Sequence, residues 1–209
     1  MLLVWLMLPL LVAAYHYGPG QRGLQLDGVD QRLTEAQVCV DQEEWGSAVA
    51  AYDAALQLLP ADLSHQTGQV RLERAKAQML AKQLPAAHRD LKALVDELHK
   101  ASRETDPADD LQTPLTEKRA DEKLLQDARA ALAHSQYYMT WLMRLEGQPR
   151  ETWEPEIENA RQTFRLLQSQ AEQGGEQAVA KGFREDLEST IRLARMDLSD
   201  LQGLPLPSQ

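Results

Sequence analysis

Between Leu24 and about Glu44 the apolar positions Leu26, Val29, Leu33, Ala36 and Val40 recur at alternating steps of three and four, the spacing of a single helical face. Asp41 to Gly46 reads as a turn and Ser47 as the N-cap of a partner helix that runs to Leu59 and is stopped by Pro60. In that partner Ala48 and Ala55 flank Tyr52 at spacings of four and three, so all three share a face. Small residues there let a second helix approach closely, and the Tyr ring fills the space between them. The pattern returns once: Ala75, Ala87, Leu91 and Leu94 follow Ala36, Ala48, Tyr52 and Ala55 at one constant offset.

Beyond about residue 100 the chain changes character. Residues 101–113 are polar, acidic and interrupted by Pro107, so an exposed linker is expected. Thr113-Pro114 then opens a long helix from Leu115 to Glu146, with Leu124, Ala128, Ala131, Leu132, Ser135, Tyr138, Met139, Leu142 and Leu145 on a broad face. Gly147 ends it. Thr152 is the expected cap of the next helix, with Pro155 in its first turn, and Ala160, Phe164 and Leu167 repeat the four-then-three spacing. Gly174-Gly175 breaks the chain before a final helix, about Glu176 to Leu201, whose stripe of Val179, Phe183, Leu187, Ile191, Ala194, Leu198 and Leu201 suits a terminal cap. The proline-rich tail, residues 203–209, is expected to fray.

Residues 1–17 carry no charged side chain and are followed by Gly18-Pro19-Gly20, which predicts that any helix stops there. This is a membrane-targeting pattern, and two readings of it stand. As a cleaved signal peptide it would use the small residues around Val12-Ala13-Ala14, although the basic n-region is missing. As a transmembrane anchor it would use Tyr15, His16 and Tyr17 as an interfacial belt. Arg22 and Arg32 after the segment favour a cytoplasmic domain, whereas a short apolar run ending in small residues favours export; an extracytoplasmic domain is the expectation.

The charge of −10 and pI near 5.0 argue against nucleic acid, since phosphates must be met by clustered Lys and Arg and the basic residues here are scattered among acids. Aromatics are only 5 %, which favours helix-on-helix packing and an all-α protein. The lone Cys39 cannot form an internal disulfide and reads as a small buried filler. His16, His65, His88, His99 and His134 show no metal-ligand spacing, so neither metal nor cofactor is expected. Glu43-Glu44 and Asp109-Asp110 read as solvated surface rather than as catalytic acids.

The small, aromatic, small, proline order of Ala48, Tyr52, Ala55 and Pro60, preceded by Ala36, resembles a tetratricopeptide repeat over about residues 29–99. Leu94 departs from the small residue of that pattern and no proline stands at His99. The resemblance implies antiparallel helix hairpins stacked as a short solenoid: two in residues 18–100, then a third hairpin plus the capping helix in 114–202. The residues beyond the family's shorter period would lie in a loop around Ala61 to Gly68. It further implies that the first helix of each hairpin lines a concave face, here Leu33, Gln37 and Val40 in one unit and Leu72, Lys76 and Met79 in the next. These positions are mostly apolar and do not form the family's basic clamp for a C-terminal carboxylate, which points to an amphipathic helix or extended apolar segment as partner. Tyr137, Tyr138, Trp141 and Trp153 either floor a second groove or pack between helices. The function expected is a non-enzymatic, membrane-anchored interaction scaffold, with self-association as a homo-oligomer or an enzyme subunit without a readable motif as the alternatives.

Overall fold

A computed structural model describes residues 19–104 and 114–202. Among the described residues the chain is all-α and has no strand. The helices are α1 (Pro19–Asp41), α2 (Trp45–Leu58), α3 (Ser64–Leu80), α4 (Leu84–Glu104), α5 (Leu115–Leu145), α6 (Arg150–Gln173), α7 (Gln177–Arg195) and α8 (Leu198–Gln202). The chain parts into two compact units at Val70 and Arg71, inside α3; of the linker expected over 101–113, residues 105–113 lie outside the described residues. Of that stretch, residues 101–104 complete α4, and α4 packs directly on α5.

In the first unit α1 and α2 form an antiparallel hairpin. Val29 and Ala36 of α1 and Ala48, Tyr52 and Ala55 of α2 are all buried, as their three-and-four spacing predicts. Gln25 Nε2 donates to the Leu58 carbonyl at 2.6 Å and Arg22 pairs with Asp62 at 2.5 Å, so the start of α1 is tied to the end of α2. The helix begins at Pro19, not after the Gly-Pro-Gly run. Proline is well suited to a first helical position, where its φ is already helical and its missing N–H has no intrahelical partner to lose.

In the second unit α5 is the spine. Its 31 residues span about 46 Å at 1.5 Å per residue and serve three apolar clusters in succession. Leu124, Ala128 and Ala131 meet Leu72 and Ala75 of α3 and Leu91, Leu94 and Val95 of α4. Ala133 meets Ala160, Phe164 and Leu167 of α6, with Phe183 and Leu187 of α7 beside them. Trp141 meets Trp153 and Ile157 of α6, Leu193 of α7 and Leu201 of α8. The four-then-three spacing of Ala160, Phe164 and Leu167 is thus a core face, and burying Phe164 alone contributes roughly 1.5–3 kcal/mol.

Four hairpin turns share one backbone design. A single left-handed residue, Glu43, Lys82, Gly147 or Gly175, follows each first helix with φ of 58°, 62°, 72° and 76°. The next residue's N–H reaches back to a carbonyl in the last turn of that helix: Glu44 to Cys39, Gln83 to Gln78, Gln148 to Met143, Glu176 to Ala171. These bonds satisfy carbonyls that a helix end leaves free. The offset from Glu43 to Lys82 is the offset from Ala36 to Ala75, so the backbone repeats at the same period as the side chains.

Several boundaries differ from the sequence expectation. Ser47 lies inside α2 and Glu44 takes the N-cap position, because the left-handed turn at Glu43 lets the helix restart at Trp45. Thr152 likewise lies inside α6, which starts at Arg150 after Pro149, and Pro155 stands in its second turn. The loop expected over Ala61 to Gly68 is shorter, since α3 begins at Ser64 and takes Gly68 into the helix. The final helix is broken at Met196, whose ψ of 143° is extended, and α8 folds back onto α5. The buried stripe of α7 is Ala180, Thr190 and Leu193, with Phe183 and Leu187 partly buried, and Val179 and Leu198 face outward. No helix among the described residues is long and apolar enough to cross a membrane. The stretch 1–17, expected to target a membrane, Thr113 and the tail 203–209 lie outside the described residues.

Candidate functional site

The positions expected to line a concave face fall into both units. On α1, Gln37 is exposed, Leu33 and Val40 are half-buried, and the neighbouring Val38 is 48 % exposed. Gln37 Nε2 donates to Asp41 Oδ1 at 2.8 Å, one turn on. These side chains give α1 a mixed apolar and polar outer surface. On α3 the outcome is different. Leu72 is only 3 % exposed and belongs to the core against Leu91 and Leu124, and Met79 packs partly buried on the same cluster. Leu72 therefore presents no surface to a partner, because α3 lies against α4 and α5 on the side that carries it. Lys76 is engaged by Glu73 at 2.7 Å, one turn back.

The aromatic group is resolved in favour of packing. Trp141 and Trp153 are 6 % and 9 % exposed and meet each other in the α5–α6–α7–α8 cluster. Tyr137 is half-buried beside them and stands edge-on to Tyr138, ring centres 5.5 Å apart. Burial raises the pKa of both phenols, so they remain protonated and available as donors. The Arg144 guanidinium lies 4.8 Å over the Trp153 ring and donates to the carbonyls of Leu193 and Met196 at the end of α7. A cation placed there meets the negative pole of the helix and fills carbonyls left without intrahelical donors.

Polar groups that sequence reasoning did not single out are brought together between α4, α5 and α6. His88 Nδ1 lies 3.1 Å from Ser135 Oγ, and His88 Nε2 lies 3.8 Å from Glu156 Oε2. A serine, a histidine and a carboxylate in this order suggest a nucleophile relay, but the polarity runs the other way. Ser135 is fully buried and gives its hydroxyl proton to the Leu132 carbonyl at 2.7 Å, so its oxygen accepts from His88 Nδ1–H. The serine thus has neither a base to activate it nor access to a substrate. Burial lowers the His88 pKa, opposed by the Glu156 carboxylate and reinforced by Lys92, and the ring is neutral near pH 7. On the α3 side Arg74 Nη2 donates to Asp90 Oδ2 at 2.9 Å, and Gln78 Nε2 reaches the same oxygen at 3.4 Å.

Two further histidines have partners in other helices. His134 Nε2 is 3.2 Å from Asp186 Oδ2 of α7, with its ring centre 5.0 Å from that of Phe164. His99, near the end of α4, accepts from Arg129 of α5, Nε to Nε2 at 2.9 Å. None of these pairs has a sequence signature, since partners on separate helices, well apart along the chain, are joined only by packing. The weak clue was a polar residue on an apolar stripe, as Ser135 is. Among the described residues no three His, Cys, Asp or Glu side chains converge as a metal site. Cys39 is half-buried on α1. Comparison of the chain with family models, with curated proteins and with solved structures finds no match in any of the three.

Proposed function

We propose that the chain is a non-enzymatic, tetratricopeptide-like interaction scaffold, held at a membrane by residues 1–17 with its helical part on the extracytoplasmic side. The observation that carries it is the coincidence of two periods. The buried positions Ala36, Ala48, Tyr52 and Ala55 and the left-handed turn at Glu43 recur at one offset as the buried Ala75, Ala87, Leu91 and Leu94 and the turn at Lys82, with leucine in place of Tyr52 and Ala55. Repeated hairpins with one turn design are what a stacked helical scaffold requires.

The partner surface in this reading is the side of α1 that carries half-buried Leu33 and Val40 with exposed Gln37 between them. Apolar residues that the hairpin core does not need suit an amphipathic helix or an extended apolar segment. Gln37→Lys is the informative change, because its side chain is exposed, stands between Leu33 and Val40 on that side, and its loss costs the core little. We expect unchanged helicity by circular dichroism and loss of a discrete partner that cross-links to the wild-type chain in its native membrane fraction. The same partner retained by Gln37→Lys, at the same yield, would remove this side of α1 from the interface. A cross-link to a second copy of this chain would replace the scaffold with a self-associating structural protein.

A further inference from the structure

We propose that one end of the α1–α2 hairpin, formed by Leu24 and by the connection from Leu58 to Leu63, seats in the headgroup layer of a lipid bilayer, with α1 leading out from the lipid. This rests on the reading of residues 1–17 as the segment that holds the chain at a membrane, and adds to it a contact made by the folded protein itself. The charge pattern sets the start of the chain apart. From residue 1 to residue 26 Arg22 is the only Asp, Glu, Lys or Arg, in a chain whose composition is 26 % charged, and the acids begin at Asp27. The acid-free stretch therefore does not stop where α1 begins at Pro19 but runs about two turns into the helix.

Leu24 is 64 % exposed, more than any other large apolar side chain among the described residues. A single exposed leucine is ordinary. What marks this end of the hairpin is that the connection beside it is apolar as well: Leu58, Leu59, Pro60 and Leu63 are only half-buried, where a surface connection is normally polar. Its one charged residue, Asp62, pairs with Arg22 at 2.5 Å, and Gln25 Nε2 holds the Leu58 carbonyl at 2.6 Å, so the connection stands level with the second turn of α1 and the two charges there cancel. A neutral, apolar end suits the boundary between headgroups and acyl chains, where amphipathic surfaces sink about 5–10 Å. The depth agrees. Leu24 lies five residues beyond Pro19, about 7.5 Å at 1.5 Å per residue, and the headgroup layer on each side of the hydrocarbon core is roughly 5–8 Å thick. Side chains on a helix also lean toward its N-terminus, which carries the Leu24 side chain back toward the lipid.

The test uses the full chain in phosphatidylcholine vesicles. Cys39 is the only cysteine, so Cys39→Ala supplies a background in which Leu24→Cys and Val38→Cys, both at exposed positions, each carry one nitroxide label. The two labels stand fourteen residues apart on α1, about 21 Å along its axis. Circular dichroism matching the wild type establishes that both labelled chains are folded. Flotation reports whether the chain is held by lipid, and collision with oxygen, which concentrates in the bilayer, against a water-soluble nickel chelate reports the depth of each label. Oxygen should reach position 24 more readily than the chelate does, and the order should reverse at position 38. A chain that floats but leaves position 24 as open to the chelate as position 38 overturns this contact and keeps residues 1–17 as the anchor. Both labels at lipid depth would lay α1 along the surface and overturn it too. A chain that does not float overturns the contact together with the membrane reading on which it rests.

Discussion

Arg144 ties the end of α7 to α5, and replacing it with alanine tests that directly. Its guanidinium donates to the Leu193 and Met196 carbonyls, occupies the C-terminal pole of α7 and covers Trp153. At a partly solvated site each of the two hydrogen bonds contributes about 1 kcal/mol. The helix terminus adds about 0.5 kcal/mol, and the cation over the indole about 0.5 kcal/mol. Arg144→Ala should therefore destabilise the protein by about 3 kcal/mol. Arg144→Lys keeps the charge but not the two-pronged donor and should cost about half as much. In urea, with a slope of about 2 kcal/mol per molar, the alanine variant's midpoint should fall by about 1.5 M. Because burial lowers the Arg144 pKa without bringing it near neutrality, the difference should be the same at pH 5.5 and pH 8. A loss under about 1 kcal/mol, or a lysine variant indistinguishable from wild type, would refute the account of Arg144 as the clasp on α7 and α8.

Three other perturbations probe the rest of the fold. Tyr52→Ala removes a buried ring from between Ala48 and Ala55 and should cost about 3–5 kcal/mol in chemical denaturation, with a value below about 1 kcal/mol excluding a packed α1–α2 hairpin. Glu43→Gly and Lys82→Gly relieve side chains held at positive φ and should each raise stability by about 0.5–1 kcal/mol, read as a later thermal midpoint; lowered stability would mean that the side chains themselves hold the turns. His88 has a depressed pKa in the folded state, so below about pH 6.5 the unfolded chain takes up the proton first. Its contribution is complete above that pH and is lost as the pH falls toward the folded value, so His88→Gln should flatten the decline in stability between pH 6.5 and 5, and an unchanged slope would assign it to other groups.

What the sequence determined by itself is the helical class and two of the core faces. Ala48, Tyr52 and Ala55, and again Ala160, Phe164 and Leu167, are buried where their spacing places them, because a helix brings residues three and four apart onto one side whatever it packs against. Gly147 and Gly175 were readable as stops for the same local reason, since only glycine adopts positive φ without strain. Tertiary structure decided the rest. Glu43 and Lys82 turn left-handed with no glycine to announce it, where hairpin packing outweighs a local cost of about 1–2 kcal/mol. Periodicity shows that Leu72 shares a face with Ala75 and Met79, but not that α4 and α5 both lie against that side and close it to a partner. The break at Met196 depends on Arg144, two helices back along the chain, and on the place that Trp141 and Trp153 leave for Leu201. His88, Ser135 and Glu156 meet for the same reason: a pattern along one helix carries the direction of its own stripe, and only packing determines which stripes face one another.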